Sequence, residues 1–257
     1  MIHRIYLIPH GDELIDIPNE QSKDMRAAII EDTSKDRADV RIILTPHGLS
    51  LEKTFSIAFN KKLFGTYITD GGKKLEMNLD NNLDLARLIL ENNQKVLSKA
   101  FFSGGEQNTF PIDFGSMMPL TFFNKKPTLI IGQTRSWDLQ ELYDFGRNIH
   151  RVISTGDSKY SIIFSADQAH THSPMGPYGF SDNAKIYDQI VKEAIITGRF
   201  DSIYGMKRDF IESAKPDSFW IMIVLGGFLS ASEMKLSFKY YYVEKYFGML
   251  FACNRDA

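Results

Sequence analysis

Three of the six histidines follow short apolar runs, at points where strands are expected to end. His10 lies in "LIPHGD" and His47 lies in "ILTPHGL", so a Pro-His-Gly triplet occurs twice. Proline fixes the approach of the backbone and glycine permits a sharp turn, so the imidazole is presented from a defined point. The third, His170, follows "SIIFSADQA". Because imidazole binds Fe, Zn, Cu and Ni, the repeated triplet predicts a metal site containing His10 and His47.

Residues 165–180, "SADQAHTHSPMGPYGF", place His170 and His172 in a loop that also holds two prolines and two glycines. A stiff loop of this kind is expected to hold a functional side chain in place. His172 is either a substrate contact or a hydrogen-bonded loop residue, since alternate residues of an extended segment point in opposite directions. His3, at a strand start, and His150, in a helical pattern, are expected to be structural.

The elements that position these residues are visible as alternating apolar patterns. Short runs predict strands buried on both faces at Ile5–Ile8, Val40–Leu44, Thr128–Ile131 and Ser161–Phe164. Helical stripes are predicted for Leu85, Leu88 and Ile89, and for Ile186, Ile190, Val191 and Ala194. This alternation predicts an α/β fold with a central, mainly parallel or mixed sheet flanked by helices on both faces. Parallel strands would bring the three histidine loops to one edge of that sheet.

Two further β segments are predicted outside this alternation. In residues 66–79, "TYITDGGKKLEMNL", the Asp70-Gly71-Gly72 triplet is typical of a hairpin turn. Residues 239–252, "KYYYVEKYFGMLFA", are rich in β-forming residues. No linker divides the sequence, so residues 1–257 are predicted to be one catalytic domain.

Composition excludes several classes of protein. A net charge of −2 argues against binding to a nucleic-acid backbone, which requires a basic excess. The longest apolar run, Phe219 to Leu229, is shorter than the roughly 20 residues needed to cross a membrane, and its aromatic residues are expected in the core. The first residues lack a signal-peptide pattern, which predicts a cytoplasmic protein. A single cysteine, Cys253, excludes a thiolate-rich zinc site, so nitrogen and oxygen ligands are expected.

The sequence resembles the LigB-type, class III extradiol ring-cleavage dioxygenase superfamily, which includes the Memo-like proteins. The resemblance rests on the two Pro-His-Gly motifs and on "PIDFGSMMPLTFF", "SADQAHTHSPMGPYGF" and "YFGMLFA", in the same order along nearly the whole chain. It implies that His10 and His47 are iron ligands and that His170 is a catalytic acid and base. It also implies that Asp113, Gly115, Pro119 and Leu120 shape the site wall. Substrate contacts are expected from Asp113, Gly115, Pro119 and His172.

The third metal ligand is the part of the family pattern that this sequence matches least closely. In the family it is a glutamate late in the chain, and here that region reads "DFIESAKPDSFWIMIVLGGFL". Counting back from Gly226-Gly227 places Asp217 at the ligand position, with Glu212 as the alternative. Asp217 also fits a helix N-cap after Pro216. Memo-like proteins have a cysteine instead, but Cys253 lies too far along the chain to match.

The resemblance implies an Fe(II)-dependent extradiol dioxygenase whose partners are O2 and a small aromatic diol related to catechol. Two histidines and one carboxylate leave open positions on Fe(II) for dioxygen and substrate. His170 would take a proton from the substrate and later deliver one to the oxygen-derived intermediate. Because members of this family often form dimers, the resemblance implies a homodimer.

Two other functions fit the same residues. One is a Memo-like metal- or peptide-binding or redox protein that does not cleave rings. The other is a zinc-dependent hydrolase, because Zn²⁺ bound by histidine and carboxylate activates water. Zinc could also occupy the site of a dioxygenase as purified. A carboxylate as third ligand favours the oxygenase over the Memo-like function. An α/β-hydrolase triad is not supported, because no G-x-S-x-G motif occurs.

Overall fold

The computed structural model of the chain describes residues 1–104 and 108–254. The strands within these residues are β1 (Ile2–Ile8), β2 (Val40–Thr45), β3 (Phe55–Ala58), β4 (Lys62–Ile68), β5 (Lys74–Asp80), β6 (Leu97–Ala100), β7 (Thr109–Pro111), β8 (Thr128–Gly132), β9 (Tyr160–Ser165), β10 (Leu236–Glu244) and β11 (Phe247–Asn254). Eight of them form one sheet in the order β10-β11-β1-β9-β2-β8-β3-β6. The other three form a small sheet in the order β5-β4-β7.

The helices of the described residues lie between these strands. They are α1 (Glu13–Asp16), α2 (Glu20–Thr33), α3 (Leu83–Glu91), α4 (Phe114–Leu120), α5 (Leu139–Ser154), α6 (Asp182–Thr197), α7 (Asp201–Tyr204), α8 (Arg208–Ala214) and α9 (Phe219–Ser230). None of them is long and apolar enough to cross a membrane. The predicted α/β fold is confirmed, and the large sheet is mixed.

The four predicted strands are the parallel centre of the large sheet. β1 pairs with β9, β9 with β2, and β2 with β8, all in parallel. All six residues of β2 and of β9 are buried, as expected for strands covered on both faces. The sheet is mixed because, on either side of this centre, β11 runs antiparallel to β1 and β3 runs antiparallel to β8. The central parallel strands therefore end together at one edge of the sheet.

Each face of the sheet has its own apolar core. One core lies under α3, α5, α6 and α9, and the other lies under α1, α2, α4 and the small sheet. The apolar helix α9 belongs to the first core, which confirms that Phe219, Trp220 and Met222 are core residues. α9 crosses α5 so closely that a Cβ on Gly146 would overlap the carbonyl oxygen of Val224. Glycine, which has no Cβ, permits this approach. α9 is thus held tightly on this face of the sheet.

The helical stripes are only partly as predicted. Leu88 and Ile186 are 44% and 49% exposed, so neither belongs to the buried face of its helix. Ala86 in α3 and Tyr187 in α6 are buried instead. Leu85, Ile89, Val191 and Ala194 are buried as predicted, so each stripe is confirmed except for one residue that faces solvent.

The predicted hairpin is formed by β4 and β5 and is tied to the loop after β1. Asp12 Oδ2 accepts hydrogen bonds from the backbone N–H of Asp70 at 2.7 Å and from the Tyr67 hydroxyl at 3.2 Å. Asp16 accepts from the N–H of Gly71 at 2.7 Å. The turn of the hairpin consequently lies against the segment that follows His10. The predicted C-terminal β segment is the hairpin of β10 and β11.

Candidate metal centre and acid/base site

The ends of the central strands bring together two histidines and one carboxylate. His10 follows β1, His47 follows β2, and Asp217 lies just before α9. Nε2 of His10 is 2.9 Å from Oδ2 of Asp217, and Nε2 of His47 is 3.0 Å from the same oxygen. The two Nε2 atoms are 3.0 Å apart. Three residues separated by up to 207 positions in the sequence therefore present their ligand atoms to one point.

The tautomer of neutral His10 is fixed by a chain of hydrogen bonds behind the ring. The Ser165 hydroxyl donates to the carbonyl oxygen of Gly115 at 2.6 Å, so its single hydrogen is used. Its oxygen, 2.9 Å from Nδ1 of His10, must then accept the Nδ1–H. Nε2 is left with a lone pair directed at His47 and Asp217. Such a partner behind the ring is the usual companion of a metal-binding histidine.

The three ligand atoms lie close enough together for one ion to contact all of them. In the metal-free site their separations of 2.9 to 3.0 Å are those of hydrogen bonds. Two histidines and one carboxylate form the ligand set typical of non-haem Fe(II) sites, and Zn²⁺ also binds this set. The residues present therefore fit a divalent metal.

Asp217 occupies the position expected of the third ligand, and Glu212 does not. The amide of Gln133 donates to the backbone carbonyl of Asp217 at 2.6 Å, and the Ser218 hydroxyl donates to Oδ1 at 2.7 Å. Oδ2 is left for the histidines. The N-cap of α9 is Ser218, so Asp217 does not serve as that cap. Glu212 is exposed and pairs with Arg208 in α8 at 2.6 Å.

Burial and neighbouring charges shift the pKa values of His10 and Asp217. Burial opposes protonation of His10, but the carboxylates of Asp167 and Asp217 outweigh it and raise the pKa of His10 to about 9. Burial also opposes ionisation of Asp217, yet His10 and the hydrogen bonds from both histidines hold the pKa of Asp217 well below its usual range. Without metal, His10 therefore keeps a proton on Nε2, which a divalent ion must displace.

His170 lies beside this centre with one ring nitrogen already engaged. Its Nδ1–H donates to the carbonyl oxygen of Gln168 at 2.8 Å, which leaves Nε2 as the atom that can exchange a proton. The ring stacks on Phe247 with centroids 5.5 Å apart, and Tyr178 of the Gly/Pro-rich loop lies edge-on at 6.0 Å. A ring nitrogen of His170 lies within 4.8 Å of carboxylate oxygens of Asp167 and Asp217. His170 does not belong to the group of ligand atoms formed by His10, His47 and Asp217. It is placed to act next to the ligand set.

Other predicted site residues lie behind the centre. Asp113 caps α4 by accepting from the N–H of Ser116 at 3.0 Å, and it also accepts from the Thr45 hydroxyl at 2.6 Å. A Cβ on Gly115 would lie 3.0 Å from Cδ2 of His47, so this glycine leaves room for the imidazole. Pro119 and Leu120 are buried inside α4. The structure thus gives this segment a role in supporting the wall of the site.

His172 does not reach the centre. Its Nε2 is 2.7 Å from Oδ2 of the buried Asp188, which also accepts from the Tyr241 hydroxyl at 2.7 Å. Oδ1 of Asp188 accepts from the N–H of Ala169 at 2.9 Å. His172 is therefore a hydrogen-bonded loop residue, the second of the two alternatives that the sequence left open. His3 and His150 also lie elsewhere, His3 accepting from the N–H of Arg37 and His150 packing on Phe228 in α9.

Several residues of the site carried no separate prediction. Asp167, the acid of the "S-x-D-x-x-H" stretch, accepts from the N–H of His10 at 3.0 Å, and its place in that stretch was the only available signal. Phe114 stacks on His47 with centroids 4.1 Å apart, and Tyr67 stacks on Phe114 at 5.7 Å. These rings come from α4 and from the hairpin strand β4. Nothing in their spacing indicates that they form one wall.

Two clefts open onto the centre, and both are lined by His47, His170 and Tyr178. The acidic cleft, of about 270 Å³, also contains the side chains of Asp12, Glu13, Asp70, Asp167, Phe114 and Lys245. The basic cleft, of about 580 Å³, also contains those of Arg135, Arg208, Lys215, Glu212, Trp137 and Trp220. The centre is accessible from two sides of different charge.

Comparison with known proteins defines the class to which this fold and site belong. The sequence profile described as "Catalytic LigB subunit of aromatic ring-opening dioxygenase" matches residues 4–252. The chain belongs to the LigB family.

Two further proteins are similar to this chain in sequence or in structure. The chain is 23% identical over 250 residues to Protein CA_C1420 of Clostridium acetobutylicum, an alignment that covers 91% of this chain and 53% of that protein. The chain thus spans about half the length of this curated relative. Uncharacterized protein JW3007 from Escherichia coli K12 has a similar crystal structure, with a TM-score of 0.63 and 13% identity over 97% of this chain and 98% of that one. That similarity supports the fold.

Proposed function

We propose that the chain is an Fe(II)-dependent extradiol-type dioxygenase that opens the ring of an aromatic diol with O2. The observation that carries this proposal is the convergence of His10, His47 and Asp217, whose three ligand atoms lie 2.9 to 3.0 Å apart. Membership of a family of aromatic ring-opening dioxygenases supports the same reaction class. Both atoms of O2 end in the ring-opened product, so no external reductant is required.

The side chains of the chain provide the ligands and the wall. When bound, Fe(II) supplies redox chemistry and open coordination positions for the diol and dioxygen. His10, His47 and Asp217 hold the ion from one side, and Ser165 keeps the Nδ1 proton of His10 away from it. Phe114 and Tyr67 extend an aromatic surface from His47 into the acidic cleft. A flat aromatic substrate can lie against this surface.

His170 is the acid and base in this proposal. The bond from its Nδ1–H to the Gln168 carbonyl fixes the ring, so Nε2 accepts a proton from a substrate hydroxyl and later returns it. Stacking on Phe247 and the edge contact with Tyr178 restrict the imidazole further.

The two alternative functions have less support. A Memo-like site has a cysteine at the third position, whereas here that position is a carboxylate and Cys253 is buried in β11. A zinc hydrolase would use the same three ligands, but membership of a family of ring-opening dioxygenases supports the oxygenase instead. Both alternatives are nevertheless separated from the proposal by the same experiment.

The test is anaerobic loading of the purified protein with Fe(II), followed by addition of a panel of catechols and then of oxygen. We expect stoichiometric Fe(II), oxygen uptake in proportion to diol consumed, and yellow ring-fission products. The matched controls are the Zn²⁺-loaded protein and the His10→Ala variant, both expected to be inactive. Hydrolysis by the zinc form, or diol binding without oxygen uptake across the panel, would contradict the proposal.

A further inference from the structure

We propose that a cavity outside both clefts is a second binding site, which takes a small monocarboxylate with an apolar body. This rear cavity, of about 580 Å³, lies between α6, β10 and the Gly/Pro-rich loop, and its lining includes His172, Phe180, Lys185, Ile186, Lys192 and Val243. Among the described residues, none that lines it also lines either cleft at the metal centre. Its volume lies within the range of about 300–1,000 Å³ that is typical of small-molecule sites.

Part of the wall of the rear cavity consists of apolar side chains that the fold leaves uncovered. Phe180, Ile186 and Val243 are 59%, 49% and 37% exposed. They come from the loop, from α6 and from β10, and they meet at this cavity. Apolar residues from three separate elements that converge on an open cavity provide a surface for the apolar body of a ligand.

Two lysines of α6 give the rear cavity positive charge. Lys185 and Lys192 are seven positions apart, so they lie on one side of the helix, about 10 Å apart along its axis. Neither forms an ion pair with another described residue. Nζ of Lys192 lies over the ring of Phe238 at 4.9 Å, which restricts this lysine without using its hydrogen-bond donors. These two cations are available to an anionic ligand.

The carboxylates of the rear cavity determine which way the acid group points. Asp182, which is exposed, is the first residue of α6 and lies about 15 Å from Lys192 along the helix axis. The charge of the buried Asp188 is already compensated, because its two oxygens accept from Ala169, His172 and Tyr241. An anionic group is therefore repelled least at the Lys192 end of the cavity.

His172 offers a further polar contact that the protein itself does not use. Its side chain is only 10% exposed, and its Nε2 donates to Asp188 at 2.7 Å. Within the described part of the chain, Nδ1 has no hydrogen-bond partner. Nδ1 carries a lone pair in the neutral ring and an N–H in the charged ring, so it can bind a protonated or an ionised acid group. A buried nitrogen of this kind, in the wall of a cavity, is explained by a ligand.

A ligand in the rear cavity touches the loop that carries His170. His172 and Phe180, which both line the cavity, pair as an antiparallel bridge at the two ends of residues 173–179. The N–H of His172 also donates to the carbonyl of Tyr246 at 3.1 Å. Binding to both ends of this segment should reduce its local opening and slow the hydrogen exchange of its amides.

The experiment compares octanoate with its neutral counterpart octanamide, each titrated by calorimetry into the purified protein. We expect the acid to bind about tenfold more tightly than the amide, as two partly exposed ion pairs would provide. The preference should shrink as salt screens the charges. In K185Q/K192Q it should fall to about twofold, while affinity for the amide is retained. Acid and amide that bind the wild type equally well would overturn the proposal.

Matched controls separate the rear cavity from general effects of charge and apolarity. Lys61 and Lys95 are exposed and line neither this cavity nor the two clefts, so K61Q/K95Q should keep the full preference for the acid. Ile186→Ser should weaken both ligands about fivefold, and Ile196→Ser, in the same helix but outside the cavity, should weaken neither. Equal losses within either matched set would contradict a site in this cavity.

Two further measurements distinguish this site from the metal centre, and neither requires ring-opening activity. His47→Ala, which removes a metal ligand, should bind octanoate as the wild type does. Loss of binding in His47→Ala with retention in K185Q/K192Q would place the anion at the metal and overturn the proposal. Saturating octanoate should also slow hydrogen exchange of residues 173–179 in the wild type. Unchanged exchange in this segment would show that the ligand binds elsewhere.

Discussion

Ser165 fixes the tautomer of His10, because its oxygen accepts the Nδ1–H at 2.9 Å while its own hydrogen is donated to a backbone carbonyl. The hydroxyl is buried at the end of β9 and makes no contact with the other two ligands of the centre. The metal-binding nitrogen of His10 is thus selected by a side chain on a neighbouring strand.

Replacing this hydroxyl should weaken metal binding without removing a ligand. Ser165→Ala is expected to lower Fe(II) affinity about 10- to 100-fold, the usual effect of losing the partner behind a metal-binding histidine. Metal affinity is measured by competition with a chelator. Ser161→Ala is the control, since Ser161 lies in the same strand and its buried hydroxyl has no partner among the described residues. Equal effects of the two substitutions would contradict this role of Ser165.

The third ligand can be identified by a pair of carboxylate substitutions. Asp217→Ala should abolish stoichiometric metal binding, whereas Glu212→Ala should retain it, because Glu212 pairs with Arg208 on the surface. Metal content after anaerobic loading and dialysis gives the answer. Thermal melting of the metal-free variants shows whether the fold is preserved. Loss of metal from the Glu212 variant with retention in the Asp217 variant would reverse the assignment.

The acid/base role of His170 predicts loss of turnover with retention of metal. His170→Gln should reduce the rate of ring opening by about 10²- to 10⁴-fold, the typical contribution of a positioned acid and base. Metal content and anaerobic diol affinity should remain near those of the wild type. A loss of metal in proportion to the loss of activity would mean that His170 is a ligand.

Asp188 is expected to position His170 through the loop that carries it. Asp188 binds the N–H of Ala169 on one side of His170 and the ring of His172 on the other. Asp188→Asn should lower kcat more than it changes KM, with metal content unchanged. His172→Ala should cost about 1–3 kcal/mol of unfolding free energy, as for a charge-assisted hydrogen bond.

The control for this pair is Asp182→Asn in the same helix, where the carboxylate is exposed. It should leave kcat unchanged and alter stability by a few tenths of a kcal/mol at most, about the value of a charge near a helix N-terminus. If Asp182→Asn lowered kcat as much as Asp188→Asn, the positioning role would be excluded.

Metal affinity should depend on pH through His10. The raised pKa of about 9 means that a proton occupies Nε2 of His10 at neutral pH in the metal-free protein. Each ion bound must release that proton, so apparent affinity should rise about tenfold per pH unit between about pH 7 and pH 9. Above the pKa the rise should level off. Affinity is measured by calorimetric titration across this pH range, in buffers of different ionisation enthalpy that report the protons released. An affinity that does not change between pH 7 and pH 9 would show that no proton is exchanged.

The sequence predicted the metal residues because strand ends converge in a known way. His10 and His47 follow apolar strands, and parallel pairing carries both to one edge, so local pattern and topology agree. Asp217 was predicted from the family pattern, by its distance from Gly226-Gly227, and its position depends on where α9 is held. The two histidine predictions needed only the order of elements and not the rotation of any side chain.

Residues that depend on side-chain direction were not predictable in the same way. The contact of His172 with Asp188 joins a loop to a helix that follows it, and no spacing in either segment indicates it. Phe114 and Tyr67 meet at the site because a short helix and a hairpin pack together. Leu88 shows the same limit, since it fits the apolar spacing of α3 and is nevertheless 44% exposed.

The order in which the ligands occur along the chain has a consequence for synthesis. His47 and Asp217 are 170 positions apart, so at about 5–20 residues per second on the order of 10–30 s separates their emergence from the ribosome. During that interval the growing chain contains both histidines but not Asp217. The strands β1, β2, β8 and β9 all precede Asp217 in the sequence. The complete set of three candidate ligands therefore becomes available only after every strand of the parallel centre has been synthesised.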